Sequence, residues 1–102
     1  MSDFTIAGKK SDFPNNWTKA VSLNGKDLCV ANNNGRFTAF DDQCTHAAAP
    51  LSDCEIEEGC IACPLHGAKF SVETGAALTL PAVEPVKMYE VKVEGDNVLV
   101  RA

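Results

Sequence analysis

Apolar and polar residues alternate with period two along both ends of the chain, and the alternation lapses in the middle. Phe4–Ala7 opens as a short strand. Residues 17–23 alternate loosely through Trp17, Ala20, Val21 and Leu23, and Asn24-Gly25 follows. That pair is a hairpin signal, because both residues tolerate positive φ. Lys26–Ala31 returns with Leu28 and Val30 on one face. Asn34-Gly35 marks the next turn, and Arg36–Phe40 sets Phe37 and Ala39 against Thr38 and Phe40. Nothing before residue 41 has a helical period. The pattern predicts an antiparallel meander.

Residues 44–80 read differently: small residues, prolines, glycines and cysteines replace the alternation. Glu55–Glu57 and Cys60–Ala62 form two candidate short strands around Glu58-Gly59. Ala68–Val72 is a third, closed by Glu73-Thr74-Gly75. Beyond Pro85 a long strand runs through Val86, Met88, Tyr89, Val91 and Val93. Residues 94–97 turn it and Val98–Arg101 returns. The expected fold is all-β, an antiparallel sandwich or small barrel in a single domain, 1–102. Residues 1–41 and 81–102 form the scaffold, and about 42–80 form an inserted subdomain.

Composition narrows the function. Fourteen acidic residues against nine basic give a net charge of −5, which disfavours nucleic acid and anionic membranes as partners. No apolar signal core opens the chain and no run is long enough to span a bilayer, so the sequence predicts a cytoplasmic protein. In that reducing setting the five cysteines read as ligands or thiols, with a Cys54–Cys60 pair as the one disulfide to consider. Cys29, in an alternating strand, reads as a small core residue.

The chemistry lies in residues 44–66, which open with Cys44-Thr45-His46 and close with Cys63-Pro64-Leu65-His66. Both histidines of the chain are here. Two thiolates and two imidazoles suit zinc or iron. A zinc finger usually sets two Cys in one knuckle and two His in the other, whereas each pair here is mixed. Mixed pairs on two loops suit a two-iron cluster with thiolates on one iron and imidazoles on the other. Cys54, Cys60 and Cys63 approximate the spacing of an all-thiolate cluster, but no cysteine follows Cys63 and both histidines would be idle.

The boxes CTH and CPLHG, with Ala68-Lys69-Phe70 after them, resemble the Rieske proteins. The resemblance implies one [2Fe–2S] cluster, with Cys44 and Cys63 on the inner iron and His46 and His66 on the outer iron through Nδ1. Neutral ligands leave the cluster less negative than four thiolates would. The exposed imidazole edges become the electron port, and reduction at alkaline pH is expected to take up protons. High-potential members carry a disulfide between the boxes and two hydroxyls near sulfur. The matching positions here are Ala49, Leu65, Ala68 and Phe70, which supply neither. The expectation is therefore the low end of the Rieske range, roughly −150 mV.

The resemblance further implies an electron carrier and not an enzyme. It is similar to the ferredoxin components of bacterial aromatic-ring-hydroxylating dioxygenase systems. Such a carrier takes electrons from an NAD(P)H-dependent flavin reductase and passes them to a terminal oxygenase, and a monomer is expected. The alternatives are the small Rieske-like subunit of an assimilatory nitrite reductase and a zinc-bearing regulatory module. Ala47–Leu51, with Pro64 and Leu65, offer a docking patch or simple shielding of the cluster. Pro81 is either a third loop over the cluster or a sheet-edge turn. Gly67 either aims amides at sulfur or makes a tight turn. Glu55, Glu57 and Glu58 are either a recognition patch for a basic partner or a solvated turn.

Overall fold

A computed structural model of the chain describes residues 4–42, 51, 52, 54–62, 69–78 and 85–101. Eight strands are present among them: β1 (Phe4–Lys9), β2 (Trp17–Leu23), β3 (Lys26–Asn33), β4 (Arg36–Asp41), β5 (Cys60–Ala62), β6 (Lys69–Ser71), β7 (Met88–Glu94) and β8 (Asn97–Arg101). Six form one antiparallel sheet in the order β1-β8-β7-β4-β3-β2, and β5 and β6 form a separate hairpin. The large sheet curls until its end strands approach each other, with Asn24 Nδ2 3.5 Å from Thr5 Oγ1. The described residues form the expected all-β antiparallel fold, with the β5–β6 hairpin outside the large sheet.

The two Asn-Gly turns set the meander. Asn24 and Gly25 have φ of 53° and 78°, and Asn34 and Gly35 have 56° and 93°. This left-handed geometry matches the twist of a two-residue hairpin. Leu23 then faces Lys26, and Asn33 faces Arg36. Several boundaries differ from the sequence reading, most by one or two residues. The first strand runs on to Lys9 and is followed by a short 3-10 turn, Lys10–Asp12, in which the Asp12 carboxylate accepts the Lys9 N–H at 2.9 Å. The long strand begins at Met88, not Val86. Glu55–Glu57 is no strand: Glu55 and Glu57 make isolated bridges to Trp17 and Cys60.

β3 separates two cores. Leu28 and Val30 pack with Phe13, Ala39, Val98 and Val100 on the concave side of the sheet. Cys29 and Ala31 point the other way and pack with Phe40, Leu51, Ile56, Ile61, Phe70, Val72 and Val86. Residues 28–31 are therefore all buried, on both faces. Each full-size aliphatic or aromatic side chain buried in this way contributes about 1.5–3 kcal/mol. The second core joins the scaffold to the segments on either side of the cysteine–histidine boxes.

Candidate functional site

Cys44, His46, Cys63 and His66 lie outside the described residues, as do Ala47–Pro50, Pro64, Leu65, Gly67, Ala68 and Pro81. The structure describes what holds the two boxes. The first lies in residues 43–50, between the end of β4 and Leu51. The second lies in residues 63–68, between β5 and β6, whose terminal residues Ala62 and Lys69 are paired partners. Leu51, Ile61 and Phe70, each beside a box, are almost fully buried in one core. The stems of both boxes are thus packed together.

The return limb of the first box belongs to no regular strand, and side chains secure it. Asp42 Oδ1 accepts the N–H groups of Leu51 and Ser52, each at 2.8 Å, and Oδ2 accepts the Ser52 hydroxyl at 2.8 Å. Hydrogen bonds to a charged acceptor contribute about 1.5–3 kcal/mol each. From the other side, the fully buried Thr18 places Oγ1 3.0 Å from the Leu51 carbonyl and 3.1 Å from that of Cys54, and accepts the Cys54 N–H at 3.0 Å. Backbone bonds continue the contact, from Thr18 N–H to Cys54 O at 3.0 Å and from Ile56 N–H to Asn16 O at 2.9 Å. Sequence reasoning passed over Asp42 and Thr18, which carry no motif. The one available signal for Asp42 was an acceptor side chain just ahead of a loop.

The second box rests on a tight hairpin. Glu57 and Cys60 exchange both backbone hydrogen bonds at 2.9 Å around Glu58-Gly59, as the turn reading expected. On the far side of β6, Leu78 N–H bonds to Lys69 O at 2.8 Å, and Phe70 bridges Ala77. Gly75 has φ of 77° and donates to Ser71 O at 2.8 Å, while Val86 N–H returns to Gly75 O at 2.9 Å. A cleft of about 120 Å³ beside this hairpin is lined by Glu55, Glu57, Cys60, Ile61, Ala62 and Lys69.

The remaining cysteines take simple roles. Cys29 is fully buried, as expected for a small core residue. Cys54 and Cys60 are thiols, not a shared disulfide. The Cys54 thiol donates to the Ser52 carbonyl at 3.4 Å and the Cys60 thiol to the Glu58 carbonyl at 3.6 Å. Each bonds to a carbonyl two residues away in its own loop. Among the described residues no three of His, Cys, Asp or Glu gather as a metal site. The donor set of the two boxes, two thiolates and two imidazoles on stems held in one core, fits a [2Fe–2S] cluster with mixed ligands.

Comparison with known proteins gives a concordant picture. The Rieske [2Fe-2S] domain family matches residues 3–90. The ferredoxin component of a naphthalene 1,2-dioxygenase system from Pseudomonas aeruginosa is 39% identical over 89 residues, covering 87% of this chain and 86% of the relative. The ferredoxin of carbazole 1,9a-dioxygenase from Nocardioides aromaticivorans IC177 superposes with a TM-score of 0.89 at 32% identity, covering 97% of each chain. A chain from a complex of reduced oxygenase and oxidized ferredoxin in carbazole 1,9a-dioxygenase gives 0.89 at 31%, covering 98% of this chain and 94% of that one. A putative nitrite reductase NADPH small subunit shares only the fold, at 20% identity and a TM-score of 0.80.

Proposed function

This chain belongs to the Rieske [2Fe–2S] domain family, and on that premise we propose that it is the one-electron carrier of an aromatic-ring dioxygenase system. It accepts electrons from an NAD(P)H-dependent flavin reductase and delivers them to a terminal Rieske oxygenase. The observation that carries this reading is coverage: the chain matches stand-alone ferredoxin components over most of both lengths. The carrier acts as a monomer in the cytoplasm, and its net charge of −5, which favours a soluble, self-repelling surface, supports that reading.

The cofactor is a Rieske-type [2Fe–2S] cluster. In this reading Cys44 and Cys63 hold the inner iron and His46 and His66 the outer one, within a single domain whose insertion spans about 42–80. The cluster supplies one-electron chemistry at a potential raised by its neutral ligands. The chain's own contribution is positional. Leu51, Ile61 and Phe70 bring the two stems together in one core. Phe70, fully buried, offers no hydroxyl to the cluster. The missing hydroxyl supports a midpoint near the low end of the Rieske range, roughly −150 mV.

The test is an EPR spectrum of the dithionite-reduced protein, with iron and sulfide analysis after anaerobic preparation. Mixed ligation gives a lower average g than four thiolates, and iron and sulfide in equal amounts. A four-thiolate spectrum, or protein without iron, rejects the reading. Electron delivery is tested by single-turnover product formation when the reduced protein is mixed with an oxidised dioxygenase oxygenase component.

A further inference from the structure

We propose that Asp42 is a positioning residue for the iron centre, acting as a clamp across the mouth of the first ligand loop. The inference rests on the reading of Cys44 and His46 as ligands. Residues 43–50 leave the sheet just after Asp42 and rejoin the described fold at Leu51. One carboxylate spans that mouth with three bonds of 2.8 Å, to Leu51 N–H, Ser52 N–H and Ser52 Oγ–H.

The clamp has a fixed base. Asp42 donates its own N–H to Asp27 O at 3.2 Å, and Asp41 donates to Lys87 O at 3.0 Å, so the chain is held from β3 on one side and from the residue just before β7 on the other. Its far jaw is held too. Leu51 gives its N–H to Asp42 and its carbonyl to Thr18, and its side chain is fully buried with Ile61 and Phe70 of the second stem. Residues 51 and 52 lie in no strand, so no sheet ladder would replace these bonds. Removing the carboxylate leaves two adjacent N–H groups unpaired where the ligand-bearing segment re-enters the fold. The segment that carries Cys44 and His46 then loses the tie that fixes its return at Leu51 against the second stem.

The experiment compares holoprotein carrying Asp42→Ala, Asp42→Asn and Tyr89→Phe with the unaltered chain. It reads the rate of iron loss to a strong chelator, the EPR line shape and the urea midpoint. Asp42→Ala is expected to lose iron about ten- to a hundredfold faster and to show broadened EPR lines. Asp42→Asn keeps an oxygen for both N–H groups and an NH₂ for Ser52 Oγ, and restores the unaltered rate. Tyr89→Phe removes a neighbouring bond at the same strand end and leaves the rate unchanged. The proposal is overturned if Asp42→Ala matches the unaltered chain, if Asp42→Asn is as poor as Asp42→Ala, or if Tyr89→Phe releases iron equally fast. If Asp42→Ala fails to assemble, Ser52→Ala removes only the Oδ2 bond: faster release supports the clamp, and an unchanged rate overturns it. Failure of the ligand reading is separate, since the unaltered protein would then lack mixed Cys/His ligation before any variant is compared.

Discussion

Tyr89 donates its hydroxyl hydrogen to Asp41 Oδ1 at 2.6 Å, tying β7 to the last residue of β4. Lys26 and Lys87 place their ammonium groups 5.5 and 5.2 Å from the ring centroid. Burial, then the hydrogen bond and charge of Asp41, push the phenol up from 10.0 to about 12. The folded chain therefore keeps this proton to higher pH than the unfolded chain. The resulting stabilisation is complete below about pH 10 and is lost as pH rises towards 12. Tyr89→Phe is expected to cost about 1 kcal/mol at neutral pH. Its deficit against the unaltered protein then shrinks between pH 10 and 12. Urea unfolding at stepped pH measures this, and a constant deficit through pH 12 would refute it.

Gly75 is constrained in two ways at once. Its φ is 77°, and a Cβ there would sit 2.7 Å from the Val86 carbonyl oxygen and 2.9 Å from Met88 Sδ. Gly25 has a similar φ of 78° but open space around it. Gly25→Ala is expected to cost about 1–2 kcal/mol, the left-handed backbone penalty alone. Gly75→Ala adds the clash with backbone and costs more, about 3 kcal/mol or above. Equal urea midpoints for the two variants would show that the contact with Val86 imposes nothing.

Glu58 occupies the left-handed region at φ 53°, at the position taken by Asn24 and Asn34 in the two Asn-Gly turns. Its turn therefore carries a penalty that theirs avoid. Glu58→Asn is expected to stabilise the fold by about 0.5–1 kcal/mol. If the variant instead slows electron delivery to an oxygenase at low salt without altering the potential, Glu58 also belongs to a recognition surface. A lower melting temperature would contradict the backbone argument.

Much of this was legible in the sequence, for identifiable reasons. Asn24-Gly25 and Asn34-Gly35 announced their turns because positive φ admits few residue types, and in Glu58-Gly59 the glycine alone gave that signal. Phe37 and Ala39 fell on one face and Phe40 on the other, since strand geometry leaves no choice. The two boxes pointed to the family because few ligand sets mix Cys and His at that spacing. The second core was legible only at Cys29: nothing in the alternation of β3 shows that Leu51, Ile56, Ile61, Phe70 and Val72 pack over it and over Ala31. Thr18 was missed because its partners are 33 and 36 residues away. Glu55–Glu57 was read as a strand from its composition. Glu55 and Glu57 make only isolated bridges, to Trp17 and Cys60, and no ladder extends from them.

The two cores predict the effect of removing iron. Phe13, Leu28, Val30, Ala39, Val98 and Val100 include no residue flanking a box, whereas Leu51, Ile61 and Phe70 flank them directly. Stripping the metal under reducing conditions is expected to leave the six-stranded sheet protected from hydrogen exchange. Amides of residues 51–62 and 69–78 should exchange much faster. Uniform loss of protection across β3, β7 and β8 would show that the scaffold depends on the metal.

β3 acts as a party wall. One course of residues faces the permanent framework and the alternate course faces the compartment that serves the redox centre. Damage or redesign on the second side can stop at the wall. The segments that bear the chemistry are therefore free to diverge, or to be transplanted, while the masonry behind them stands.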